Sequence, residues 1–111
     1  MQWFPCGPDV EVADFVALNE NAELEKLCRN KWPLGVVVEV KKSIVCSARV
    51  EIHGRVRAKV QCCGGIWPGH ILDGVDEKGR MRAAARVGAN YPRGICLERG
   101  AEHDTIWVLL N

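Results

Sequence analysis

Residues 32–39 read Trp32-Pro33-Leu34-Gly35-Val36-Val37-Val38-Glu39, and residues 91–98 read Tyr91-Pro92-Arg93-Gly94-Ile95-Cys96-Leu97-Glu98. The two stretches lie at a fixed offset of 59. Both run aromatic-Pro-x-Gly, then two apolar positions bracketing a third residue, then Glu. Proline fixes its own φ and biases the residue before it toward extended backbone. Each copy is therefore a corner from which the chain leaves as a strand, and the β-branched run after Gly35 suits a pleated, buried surface. Upstream of the copies, Phe15-Val16-Ala17-Leu18-Asn19-Glu20-Asn21-Ala22 and Ile71-Leu72-Asp73-Gly74-Val75-Asp76-Glu77-Lys78-Gly79-Arg80 each resemble a strand, a polar turn and a return strand. Downstream, each is followed by another strand, at 46–52 and 105–110. Two copies do not make a solenoid, which needs at least three. They predict two related β units around one core.

The clearest period-two alternation lies at 46–61. Ala48, Val50 and Ile52 alternate with Ser47, Arg49 and Glu51, and beyond His53-Gly54 the residues Val56, Ala58 and Val60 alternate with Arg55, Arg57, Lys59 and Gln61. The pattern predicts a β-hairpin turning at His53-Gly54. Strands are also expected at 35–40, 93–98 and 105–110. In the last, Ile106, Val108 and Leu110 take one face while Trp107 and Leu109 put apolar surface on the other. A strand apolar on both faces is covered on both sides, within the fold or by a partner. Only 19–29 and 82–87 look helical, and both are short. The expectation is a mainly β fold, a compact barrel- or sandwich-like domain of short strands with an extended N-terminal arm. The arm is residues 1–12, kept extended by prolines and carrying Trp3 and Phe4 as aromatic anchors. The β domain is 13–111, with units of about 13–60 and 61–111.

With 111 residues the chain has the size of one domain. A formal charge of +1 excludes a generally basic nucleic-acid binder or a polybasic membrane protein. No apolar run is long enough for a membrane helix, and Pro5, Pro8 and Asp9 break any signal-peptide core. The balance hides an asymmetry. Residues 1–40 sum to −4, residues 41–59 to +5 and residues 60–111 to zero. Arg49, Arg55, Arg57 and Lys59 supply most of the central excess. They read either as a solvated strand face or as a contact surface for an acidic partner or phosphate.

The six cysteines (Cys6, Cys28, Cys46, Cys62, Cys63 and Cys96) contain no C-x-x-C. They read as reduced structural thiols, with a disulfide or a metal site as the alternatives. Cys62 or Cys63 with His53 or His70 would make a thiolate–imidazole pair or supply metal ligands, but no nucleophile signature surrounds them. Asp73, Asp76 and Glu77 lack the twelve-residue Ca²⁺-loop pattern, and the single glycines form no phosphate cradle. The reading is a non-enzyme with no cofactor, no metal and no small-molecule substrate. Trp67, beside Pro68 and Gly69, reads as a core or subunit contact.

The ordered series Val-Glu-Val, Ala-Arg-Val-Glu-Ile-His-Gly-Arg-Val, Gly-His-Ile-Leu-Asp, Glu-Lys-Gly-Arg-Met, Arg-Gly-Ile-Cys-Leu-Glu and Asp-Thr-Ile-Trp-Val-Leu-Leu runs from Val38 to Leu110 and carries a resemblance taken over residues 13–111. It resembles the small tailed-bacteriophage capsid decoration proteins, also called capsid cement or head-fibre base proteins. His70, Leu72 and the cysteines depart from that family's pattern. The resemblance implies a structural virion protein on the capsid exterior, made in the host cytoplasm, that cements contacts between major capsid protein subunits. It implies self-association, with a trimer favoured, and no membrane. Apolar and basic surface features make Trp3, Phe4, Arg49, Arg55, Arg57, Lys59, Trp67 and Trp107 the expected capsid or subunit contacts. A different class remains open at this point: a small β-barrel nucleic-acid module using the basic 46–61 segment, which would bind with strong salt dependence.

Overall fold

The computed structural model describes residues 2–28, 31–62, 64–84 and 93–111. They form ten strands: β1 (Gln2–Pro5), β2 (Phe15–Leu18), β3 (Leu24–Lys26), β4 (Gly35–Lys41), β5 (Ser47–Glu51), β6 (Gly54–Gln61), β7 (Ile71–Val75), β8 (Met81–Ala84), β9 (Gly94–Cys96) and β10 (Thr105–Leu110). No helix occurs among the described residues, and the mainly β architecture expected from the sequence is present. The strands divide into two sheets of five within an elongated body of 42 × 24 × 23 Å.

The first sheet has the order β1-β5-β4-β2-β3, and the second closes into a barrel. Read round the ring from β6, the barrel order is β6-β10-β9-β7-β8, which repeats the first sheet strand for strand. The barrel closes through parallel pairing of β6 with β8 at Val60↔Met81 and Gln61↔Arg82. The first sheet makes the same closure with one parallel bridge, Cys6↔Leu24. All other ladders are antiparallel.

The repetition extends to single hydrogen bonds. Ala13 N donates to Val37 O and Val37 N to Asp14 O, as Gly69 N donates to Cys96 O and Cys96 N to His70 O. Leu34 N donates to Val16 O, and Arg93 N to Leu72 O, both at 2.8 Å. In the turn after β2, Asn19 Oδ1 accepts from Asn21 N and Glu23 N; after β7, Asp76 Oδ1 accepts from Lys78 N and Arg80 N. Gly35 and Gly94 open equivalent strands where the backbone leaves no room for a side chain. A Cβ on Gly35 would lie 2.2 Å from Glu51 O, and one on Gly94 2.2 Å from Leu109 O. The echo glycine is thus required by close approach to the last strand of each unit.

Each unit has its own interior. Val10, Val16, Leu24, Val37, Ala48 and Val50 fill the first, joined by Cys6. Val56, Ala58, Val60, Leu72, Cys96, Ile106, Val108 and Leu110 fill the barrel. The opposite faces of β2 and β4 carry Phe15, Ala17 and Val36, which belong to the barrel's cluster. This explains the near-continuous apolar runs of β2 and β4: the first unit buries them on both faces.

Several expectations give way. β5 and β6 do not form a hairpin, because β5 pairs with β1 and β4 while β6 pairs with β10 and β8. The alternation at 46–61 is real, but Ala48 and Val50 face one core and Val56, Ala58 and Val60 face the other. The chain therefore changes sheet at Ile52-His53, and the expected unit boundary near residue 60 moves there. The described part of 19–29 is a turn followed by β3, and the described part of 82–87 lies in β8, so neither is helical there. Extended backbone at the N-terminus is present, yet residues 2–5 are not a free arm: β1 pairs with β5 from Gln2↔Val50 to Pro5↔Ser47. Pairing with β5 takes up one edge of this segment, and β1 stands as the end strand of the sheet order. Tyr91-Pro92, the first half of the second echo, lies outside the described residues, as does Cys63.

Candidate interaction surface

β6 and β10 lie side by side with Arg57 opposite Trp107 and Arg55 opposite Leu109. Alternation sends Val56, Val108 and Leu110 inward and these four side chains outward. The Arg55 and Arg57 guanidinium carbons sit 5.0 and 5.6 Å from the Trp107 ring centroid, within cation–π range. Arg57 Nη2 also donates to Thr105 O at 3.0 Å, which anchors one of the two cations. Trp107 N donates to Glu98 Oε1 at 2.9 Å, so the echo glutamate fixes the backbone beneath the indole. Leu109 pairs with Ile95 on β9, and the two are 38% and 37% exposed. Beside them, Val12, Val37, Val38, Arg55, Val56, Arg57 and Trp107 line a groove of about 300 Å³ between the two units. The result is an apolar floor under two guanidinium groups.

The remaining expected contact residues are scattered. Arg49 is held by Glu39 at 3.2 Å on the first sheet. Lys59 is neutralised at the joint between units, with Asp14 at 3.0 Å and Glu11 at 3.6 Å. Trp3 is exposed beneath Lys41, whose Nζ stands 4.8 Å above its ring, and Phe4 packs against the first unit's core. Trp67 is exposed under Arg99, 3.9 Å away. The structure thus gathers Arg55, Arg57 and Trp107, with Lys59 next to Arg57 on the same outward face of β6 but engaged by Asp14 and Glu11, while Trp3, Phe4 and Arg49 lie on the first sheet and Trp67 in the loop before β7.

Other features were not singled out in the sequence. Ile44 and Val45 are exposed at the tip of the β4–β5 hairpin beside Lys42; two β-branched residues after Lys41-Lys42-Ser43 are the signal that marks such a tip. Val12 and Ile95 carry no such signal. Arg93 is buried, and its guanidinium donates to the carbonyls of Pro33 (3.3 Å), Leu34 (2.9 Å), Ile52 (2.5 Å) and Asn111. Burial pulls its pKa below the usual arginine value.

Among the described residues the cysteines gather into no group of three. Cys6, Cys28, Cys46 and Cys96 are free thiols. Burial, with a smaller push from Cys62, raises the Cys96 thiol to about 12. Burial chiefly, then neighbouring Cys46, raises Cys6. Among the described residues no group of three or more His, Cys, Asp or Glu side chains is placed to hold a metal ion. Asp76 sits in a hairpin turn. Burial alone would push its carboxyl up, but the Arg80 and Lys78 amides and the Arg80 guanidinium at 2.9 Å outweigh this and hold it below the usual range. That is turn chemistry, not a Ca²⁺ loop.

No protein-family model and no curated protein matches the chain.

Proposed function

We propose that this chain is a structural binding protein that decorates the exterior of a tailed-phage capsid and cements contacts between major capsid protein subunits. The observation that carries the reading is the Trp107 face, where two arginines and the apolar Leu109, Ile95 and Val12 are presented together on a two-unit β body. Such a face suits an apolar segment with flanking carboxylates: the indole supplies desolvated area and the guanidinium groups supply orientation. Aromatic and arginine side chains dominate binding energy at protein interfaces. The sequence resemblance supplies the capsid as the partner, and repetition around a shell turns a modest contact into avidity. Self-association on the shell belongs to the same reading.

The nucleic-acid reading draws no comparable support. Its basic hairpin is divided between two sheets, and Arg49 and Lys59 are paired with carboxylates. The deciding experiment is co-sedimentation of the purified chain with expanded phage capsids at moderate salt. Saturable binding that falls at least about tenfold in Trp107→Ala supports the proposal. Absence of capsid binding, together with tight, salt-sensitive binding to nucleic acid, overturns it.

A further inference from the structure

The two units are copies, yet only one of them uses the outer face of its second and fourth strands. In the first unit that face carries Phe15, Ala17 and Val36, all buried against the barrel. The hydrogen-bond equivalences place Ile71, Asp73 and Ile95 at the same positions of the second unit, with Leu97 standing for Val38. There Ile71, Asp73 and Leu97 are half-buried and Ile95 is 37% exposed. The barrel therefore presents, partly exposed, the surface by which its twin docks.

The receiving side is duplicated too. The first unit meets the barrel at the free edge of β6, where Lys59 N donates to Ala13 O at 3.0 Å and Lys59 Nζ reaches Asp14 and Glu11. The parallel closures equate Cys6 with Val60, so Pro5 stands where Lys59 stands. Equally, Trp67 stands for Glu11 and His70 for Asp14: Trp67 N donates to His70 Nδ1 at 3.4 Å as Glu11 N donates to Asp14 Oδ2 at 2.8 Å. All three members of an ionic joint are replaced together, a cation by proline and two acids by an indole and an imidazole. Pro5 is exposed and Trp67 is 47% exposed.

We infer that the barrel of one chain docks on the first unit of a second copy, head to tail, continuing the joint between the units, with Trp67 and His70 of one chain packed on Pro5 of the next. This rests on the self-association part of the reading above and names its surface. The joint is looser than the internal one, because Pro5 has no N–H to offer the incoming carbonyl and no charge to pair. Concentration-dependent association follows. A heterologous contact of this kind closes into a ring or runs on as a chain, according to its rotation.

The test is sedimentation velocity of the isolated chain, without capsids, from about 1 μM to about 500 μM, with circular dichroism to establish folding. Wild type is expected to form species heavier than 12.3 kDa as concentration rises. Trp67→Glu with His70→Asp should weaken association at least about tenfold by setting unpaired carboxylates against proline. Adding Pro5→Lys to that pair recreates the ionic joint and should restore it. Trp67→Ser, confined to one exposed loop, should weaken association without the added charges. A chain that is monomeric throughout, association indifferent to the loop variants, or failure of folded Pro5→Lys to rescue would each overturn the inference. Capsid co-sedimentation is read separately, so loss of one result does not decide the other.

Discussion

Replacing Arg93 with methionine should destabilise the whole molecule, because this side chain ties both units together. Arg93 occupies the variable position of the second echo and donates to Pro33 and Leu34, the matching residues of the first. Its other bonds go to Ile52, where the chain changes sheet, and to Asn111 after β10. Methionine keeps the aliphatic stem but leaves three half-buried carbonyls, and the exposed Asn111 main-chain oxygen, without these donors. A buried acceptor left unmet costs about 1–3 kcal/mol. Relief from desolvating the guanidinium returns part of that, since burying a cation itself costs several kcal/mol. Because these acceptors are half-buried or exposed, the balance is a net loss of about 1–3 kcal/mol, still a sizeable share of the 5–15 kcal/mol typical of a domain. Urea unfolding followed by tryptophan fluorescence gives the midpoint and slope for wild type, Arg93→Met and Arg93→Lys. Lysine, with a point charge in place of a planar fork, should recover less than half. A change below about 1 kcal/mol for Arg93→Met would refute the clamp, since it would mean the carbonyls are satisfied equally well by water.

Other outcomes follow from the same contacts. Gly35→Ala and Gly94→Ala should each cost about 2–4 kcal/mol in chemical denaturation, and by similar amounts, because each Cβ meets a backbone oxygen of the last strand at 2.2 Å. A near-neutral result at either position would break the equivalence of the two units. The depressed Asp76 carboxyl stabilises the fold above the unfolded carboxyl pKa of about 3.9, and that contribution is lost as pH falls through the lower folded value. Asp76→Asn keeps the turn acceptor that Asn19 provides in the first unit, so it should cost about 1 kcal/mol at pH 7, with the difference vanishing toward pH 2 in acid titrations of stability. Cys96, raised to about 12, is a neutral buried thiol at pH 8 and should resist alkylation in the native chain while exposed Cys28 reacts; mass mapping that finds Cys96 modified first would contradict its burial.

Much of this architecture was legible in the echo. Pro-x-Gly followed by apolar residues locates both β4 and β9, because a glycine is needed where a Cβ would strike the backbone oxygen of the neighbouring strand. The register of the pattern also placed the turns after β2 and β7 in equivalent positions. What the alternation at 46–61 does not encode is which sheet each half joins. A period of two reports that one face is buried and is silent about the partner that buries it. The helical appearance of 19–29 arose from an acidic, polar turn whose hydrogen bonds run through Asn19 Oδ1 instead of along a helix. The candidate surface was half legible: Arg55, Arg57 and Trp107 stood out by type. Their meeting depends on β6 pairing with β10 across about 50 residues of sequence, which local patterning does not contain.

Duplication also sharpens where function is to be sought. Positions held the same in both units, such as Gly35 and Gly94 or Val37 O and Cys96 O, are explained by the fold alone. Positions that differ need another reason. Glu39 holds the Arg49 side chain, whereas the equivalent Glu98 holds the Trp107 main chain and leaves the indole to two arginines. Leu34 of the first echo becomes the buried Arg93 of the second, and that change joins the copies into one body. The ionic set of Glu11, Asp14 and Lys59 becomes Trp67, His70 and Pro5. In each case the fold would accept either member, since its twin carries the other at the same place in the ladder. The choice is therefore made by what lies outside the individual unit: the neighbouring unit for Arg93 and Lys59, and, in the reading proposed above, a partner for Trp107 and Trp67.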